Sequence, residues 1–112
     1  MSIAIHHLGI VSSHSSRSIN FYRRLLDGKT KAMAGHTAVT AGDVCIAIVP
    51  RRDEDPGRYP FGLHMAFRVP ASERAELLTR LAELGADFDD VRGRVYTRDP
   101  DGLTLELVFE PG

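Results

Sequence analysis

The chain has one cysteine, Cys45, and no tryptophan among its 112 residues. A lone thiol excludes an internal disulfide, and its place in the apolar run from Val44 to Val49 makes it a buried strand thiol by expectation. Charge of either sign is not in excess, since 14 Lys and Arg face 15 Asp and Glu for a net charge of −1. That balance removes the electrostatic case for a nucleic-acid or membrane-surface partner. No apolar run approaches the roughly 20 residues of a membrane span, and no signal-peptide core follows Met1-Ser2-Ile3, so a cytoplasmic location is expected. What remains is the balance of a globular protein: at 43% hydrophobic and 26% charged residues the chain can bury a core and is not of disordered type. Its length suits one compact domain and is too small for two independent ones.

Periodicity divides that domain in two. Ile3 to Val11 alternates as a strand, with Ile3, Ile5, His7, Gly9 and Val11 on one face. Serines at 12, 13, 15 and 16 offer N-caps to a helix over about 16–26, where Ile19, Tyr22, Leu25 and Leu26 recur at helical spacing and Gly28 closes the end. Three short strands follow, over 29–33, 37–40 and 44–49, separated by Gly35 and by Ala41-Gly42-Asp43. The segment Pro50 to Pro60, rich in Pro and charge and without periodicity, reads as an exposed linker. After it the order repeats: a strand over 63–69, a helix whose Leu77, Leu78, Leu81 and Leu84 form one apolar stripe before Gly85, then strands over 87–91, 94–98 and 103–109.

Sliding the chain on itself by 57 positions lays His7 on His64, Arg17 on Arg74 and Gly28 on Gly85. Module one spans about 1–50, the linker 51–60 and module two 61–112. The sequence therefore predicts an α+β fold of two βαβββ modules.

The closing stretch, Tyr96 to Glu106, reads as a hairpin. Pro100 presets φ in the turn Asp99-Pro100-Asp101-Gly102, Gly102 accepts φ > 0, and Leu103 begins the return strand. Alternation then sets Leu103, Leu105 and Leu107 on one face, and Thr104, Glu106 and Val108 on the other. A solvated second face is the plain explanation of Glu106; a concave face that binds a cation is the sharper one. Two histidines at matching places in two repeats, with one carboxylate on the last strand, make the sharper one worth stating. Two imidazoles and a carboxylate leave open positions on a divalent ion such as Zn, Mn, Ni or Fe(II), as a catalytic metal centre requires. The set carries one negative charge, so the ion stays net positive and able to polarise an oxygen ligand. His14, at a helix entry, and His36, in a turn, are assigned to solvated positions, and His6 beside His7 shows that a histidine at this strand start need not be special.

These residues carry a resemblance. His7-Leu8-Gly9-Ile10-Val11 with Ser18-Ile19-Asn20-Phe21-Tyr22 and Leu25-Leu26-Asp27-Gly28, and the hairpin from Arg94 to Leu107, resemble the opening and closing segments of the vicinal oxygen chelate superfamily. That superfamily includes glyoxalase I, extradiol dioxygenases, bleomycin-resistance proteins, methylmalonyl-CoA epimerase and fosfomycin-resistance enzymes. The resemblance covers nearly the whole chain. It implies paired βαβββ modules forming cupped mixed sheets, a homodimer with sites shared between subunits, and a divalent metal held by His7, His64 and Glu106. Carried over by position, Tyr96 matches a site tyrosine of the extradiol and fosfomycin enzymes and, with Glu106, is assigned to catalysis. Read from alternation, Tyr96 shares a face with Arg94 and Arg98, where Tyr96 and Arg94 are expected to bind substrate, and Arg68, four places beyond His64, is a substrate-binding anion anchor.

The departures from the pattern sort the reactions. Glyoxalase I and the epimerase have a fourth ligand on the last strand of module one, where this chain has Ala47, or Ile46 in the other register. Extradiol enzymes usually carry a histidine on a strand before the second module, and the stretch from Val44 to Arg51 has none. Fosfomycin enzymes depend on cationic residues beyond the last strand, and the sequence stops at Gly112. The three-ligand set and Tyr96 rank a dioxygenase-like oxidoreductase above a glyoxalase-like lyase, acting on a small oxygenated substrate chelated to the metal. The alternatives are a metal-free protein that sequesters a drug or metabolite, as bleomycin-resistance members do, and a metal-bearing scaffold without turnover.

Overall fold

The computed structural model describes residues 3–53, Tyr59 and residues 62–111. The chain forms two compact units, residues 1–55 and 56–112, each built on the same plan. Unit one runs β1 (Leu8–Ser12), α1 (Ser15–Leu25), β2 (Lys29–Met33), β3 (His36–Ala41) and β4 (Val44–Pro50). Unit two runs β5 (His64–Pro70), a 3-10 turn (Ala71–Glu73), α2 (Arg74–Glu83), β6 (Phe88–Val91), β7 (Arg94–Arg98) and β8 (Thr104–Glu110). The two βαβββ modules expected from the repeat are present. No helix among the described residues is long and apolar enough to cross a membrane.

Each unit closes one four-stranded mixed sheet, ordered β1-β4-β3-β2 and β5-β8-β7-β6. Tight turns at Gly35, Gly42 and Gly93 join antiparallel neighbours, whereas the first and last strands of each unit pair in parallel and need the helix as their crossover. That parallel pair matters for function, because it sets the first strand of each module beside the last.

In unit one the alternating residues Ile10, Val39, Ile46 and Ile48 are buried together with Phe21, Tyr22 and Leu25 of α1, the helix that packs on β3 and β4. A buried hydroxyl pair, Ser12 Oγ to Ser18 Oγ at 2.6 Å, ties β1 to that helix, and its burial is tolerable because both groups are satisfied. In unit two the core is Leu77 and Leu81 of α2 with Val95, Leu103, Leu105 and Leu107. Arg74 completes this side by pairing with Asp90 of β6 while its guanidinium lies 5.5 Å from the Phe109 ring centroid.

Three local expectations change. The first strand begins at Leu8, so Ile3 to His7 form no ladder and are exposed. Alternation reports which face a residue would take, not whether a neighbouring strand is there to accept its hydrogen bonds. The match of Gly28 with Gly85 is also not a structural equivalence. In α1 the left-handed residue after the C-cap is Asp27 (φ 50), and Gly28 follows it; in α2 that place belongs to Gly85 (φ 69). Gly28 is required for a different reason, since a Cβ there would stand 2.7 Å from the Thr40 carbonyl oxygen. His36, expected to be solvated, is half-buried, and its Nε2 is enclosed without a hydrogen-bond partner among the described residues. Of the expected linker, residues 54–58 and 60 lie outside the described residues; Pro50 ends β4, and the Arg51 N–H donates to the Ser12 carbonyl at 2.9 Å.

Candidate metal and substrate face

Directly paired residues on neighbouring strands share a face, so the ladder registers of unit two can be read as a grid. One row is His64, Thr104 and Arg98, from β5, β8 and β7. The next is Ala66, Glu106, Tyr96 and Asp89, the last from β6. Arg68 opposite Val108, and Arg94 opposite Val91, lie one step further on the same face. The other face is apolar and faces the core. Glu106 thus sits at the centre of a polar face, with a histidine and three arginines placed around it and Asp89 at the β6 edge.

Glu106 is the anchor of this face and is only 6% exposed. Its two oxygens have separate partners. Oε2 accepts from an Arg94 guanidinium nitrogen at 3.1 Å, while Oε1 lies 3.5 Å from His64 Nε2. Burial of a carboxylate without such partners would be costly, so Arg94 and His64 explain how β8 tolerates a charged residue between Leu105 and Leu107.

The His64 ring is oriented by its other nitrogen. Nδ1 is 3.0 Å from the Gly62 carbonyl oxygen, which can only accept, so Nδ1 carries the proton. In the neutral ring Nε2 is then a bare lone pair facing a carboxylate oxygen, and two acceptors at 3.5 Å call for a cation between or beside them. A proton on the ring satisfies this, and so does a divalent ion. The donor set therefore fits the metal that the family resemblance implies: neutral imidazole and carboxylate oxygen suit Mn, Fe or Zn, and a carbonyl on the distal nitrogen is the usual second support of such a histidine.

His7 belongs to unit one, in the exposed segment just before β1. Its Nδ1 is 2.7 Å from His6 Nδ1, an arrangement in which one ring donates to the other and which does not involve His7 Nε2. The described residues form no group of three His, Cys, Asp or Glu side chains able to hold a metal ion: unit two brings His64 and Glu106 together, and His7 lies in unit one. Laying His7 on His64, the registers Gly9 with Ala47 and Ala66 with Glu106 put Ala47 at the place of the carboxylate, so module one supplies none there.

The remaining residues singled out from sequence fall on the same polar face of unit two. Tyr96 is half-buried, directly opposite Glu106, and its hydroxyl has no hydrogen-bond partner among the described residues. Arg94 is engaged by Glu106, and Arg68 Nε is held by Glu110 at 3.1 Å. Arg98, which sequence reading placed beside Tyr96 without assigning it a role, shares the row of His64. The signal that could have found it was its place two residues from Tyr96; its freedom from an acid needed the neighbours' pairings to be known.

Comparison with known proteins identifies the family and the fold. A model of the Glyoxalase/Bleomycin resistance protein/Dioxygenase superfamily matches residues 4–107. The chain is 32% identical over 114 residues to metallothiol transferase FosB of Staphylococcus saprophyticus, covering 93% of this chain and 75% of that protein. The fold is similar to that of the fosfomycin resistance protein FosX from Mesorhizobium loti, with TM-score 0.77, 20% identity, and 96% and 92% of the two chains covered. It is also similar to a FosX variant from Listeria monocytogenes complexed with Mn(II) and 1S,2S-dihydroxypropylphosphonic acid, with TM-score 0.75, 19% identity, and 96% and 90% covered. With a family model spanning nearly all of its length and a two-module βαβββ architecture to match, the chain belongs to the Glyoxalase/Bleomycin resistance protein/Dioxygenase superfamily, the vicinal oxygen chelate proteins.

Proposed function

We propose that this protein is a divalent-metal-dependent enzyme acting on a small anionic, oxygenated substrate, with phosphonates of the fosfomycin type as the substrate class to test first. The observation that carries the reading is the pose of His64 and Glu106, with one ring nitrogen committed to the Gly62 carbonyl and the other turned to the free carboxylate oxygen. The likeness to a metallothiol transferase and to FosX supports addition to such a substrate over the dioxygenase-like chemistry expected from the three-ligand set and Tyr96.

In this reading His64, Glu106 and His7 are the protein ligands, His7 being contributed by a second copy of the chain as the resemblance implies. A bound ion there supplies Lewis acidity toward a substrate oxygen and tolerates its developing negative charge. The side chains do the rest. Glu106 is fixed in orientation by Arg94 and by burial, so the ligand geometry is set before substrate arrives. Tyr96, opposite Glu106 with its hydroxyl uncommitted, donates to a substrate oxygen and orients it. The arginines of this face offer donors to the anionic group of such a substrate.

The test is a direct one. Protein stripped of metal and reloaded with Mn(II), Zn(II) or Fe(II) is incubated with fosfomycin, alone and with a thiol, and followed by phosphorus NMR. A new resonance that requires metal, and that disappears in His64→Ala and Glu106→Gln together with bound metal, is expected. Stoichiometric metal binding without conversion would favour a scaffold, and tight fosfomycin binding without metal would favour sequestration; either result overturns the proposal.

A further inference from the structure

The polar face of unit two carries three arginines, Arg68, Arg94 and Arg98, of which sequence reading assigned the first two a substrate role and the third none. The structure separates them differently. Arg94 is committed to Glu106 at 3.1 Å, where it stabilises a carboxylate whose side chain is 7% exposed. Arg68 is committed to Glu110 at 3.1 Å, at the far end of β5 from His64. Arg98 is exposed and pairs with no acid among the described residues.

Its position makes that freedom meaningful. Arg98 pairs with Thr104, and Thr104 pairs with His64, so all three lie in one row across three adjacent strands. With neighbouring strands about 4.8 Å apart, the backbones of Arg98 and His64 are roughly 10 Å from each other, with the half-buried Thr104 between them. An arginine side chain reaching over one strand covers about half of that gap. A small oxyanion held between the Arg98 side chain and the His64 strand would span this row, and Thr104, on the strand between them, has a hydroxyl able to donate a further hydrogen bond.

We infer that Arg98 and Thr104 form an oxyanion-anchoring site beside His64, and that Arg98, not Arg94 or Arg68, sets the preference for anionic ligands. A guanidinium already tied to a buried carboxylate must leave that carboxylate unpaired to bind anything else, whereas Arg98 gives up only water. The ligand chemistry is a single oxyanion group, tetrahedral or carboxylate, carried on a small molecule whose other oxygens reach the His64 and Glu106 side. The inference refines the proposed function but does not require it, because the anchor is built from unit two alone.

The experiment is isothermal titration of inorganic phosphate, and separately of acetate, into the full chain with and without Mn(II). Arg98→Met is expected to weaken phosphate binding roughly ten- to hundredfold in whichever state the wild type binds it, with Arg98→Lys intermediate and Thr104→Val weakened less. Manganese affinity should stay within about threefold of wild type in Arg98→Met, since the side chain contacts neither His64 nor Glu106. A phosphate affinity that changes by less than about threefold in Arg98→Met, or wild-type protein that binds neither anion in either state, overturns the inference. Arg98-dependent phosphate binding in protein that takes up no Mn(II) would retain the anchor and refute the metal reading. Normal Mn(II) uptake with anion binding indifferent to Arg98 would do the reverse. Stronger binding of phosphate than acetate assigns the site to tetrahedral anions, and similar binding of the two assigns it to oxyanions in general, both in keeping with the anchor.

Discussion

Replacing Arg94 by Met tests whether the ion pair beneath the polar face sets both the stability and the metal affinity of the protein. Methionine keeps the aliphatic stem and removes the charge, leaving Glu106 with His64 as its remaining side-chain partner. An exposed pair contributes about 0–1 kcal/mol and loss of one member of a fully buried pair costs about 3–5 kcal/mol. With side-chain exposures of 58% for Arg94 and 7% for Glu106 the pair lies between these limits. The expected loss in metal-free protein is about 1–2 kcal/mol, a fall in Tm of about 4–10 °C for a chain of this size. Metal binding should respond in the opposite sense. The guanidinium both competes for the charge of Glu106 and repels a second cation nearby, so its removal should tighten Mn(II) binding by about 1–2 kcal/mol, near tenfold in Kd, after allowance for solvent screening. Differential scanning calorimetry of Arg94→Met and Arg94→Lys, each with and without Mn(II), measures both quantities. A larger Mn(II)-induced rise in Tm for Arg94→Met than for wild type is predicted, with Arg94→Lys between them. An unchanged Tm in the metal-free variant, or weaker Mn(II) binding, would refute the reasoning.

Two further outcomes are expected. If sites are shared between subunits, mixing His7→Ala protein with His64→Ala protein should regenerate about one quarter of the wild-type metal sites, because each mixed dimer rebuilds one intact set; sites confined to one chain would regenerate none. The glycines that follow the two helices should differ in behaviour. Gly28→Ala drives a Cβ against the Thr40 carbonyl at 2.7 Å and should cost about 1–3 kcal/mol through backbone shifts, whereas Gly85→Ala meets no neighbour and should cost about 1 kcal/mol from its positive φ. Chemical denaturation of the two variants separates these mechanisms, and a Gly28→Ala protein as stable as wild type would contradict the close approach of the α1–β2 connection to Thr40 of β3.

Much of the architecture was legible because it is written locally. The strands over 29–33 and 94–98 coincide with the expected ranges, since period-two alternation bounded by Gly and charged turns leaves little choice of register. Ile3 to His7 alternates equally well and is not a strand, because pairing depends on a neighbour that alternation cannot report. The repeat was visible through His7 and His64, yet the apparent match of Gly28 and Gly85 joined a residue needed for close packing to one needed for its left-handed turn.

The amino-acid order by itself determined the two βαβββ modules and the residue types from which a site could be made. It could do so because helix period, strand alternation and turn chemistry act over a few neighbouring positions. Only the tertiary structure decided how those residues are used: which Glu106 oxygen faces His64, which His64 nitrogen is left bare, and which of three arginines remains unspent. Those outcomes rest on cross-strand pairing of residues far apart in the chain, and a carboxylate between two leucines acquires its meaning only from what the adjoining strands set around it.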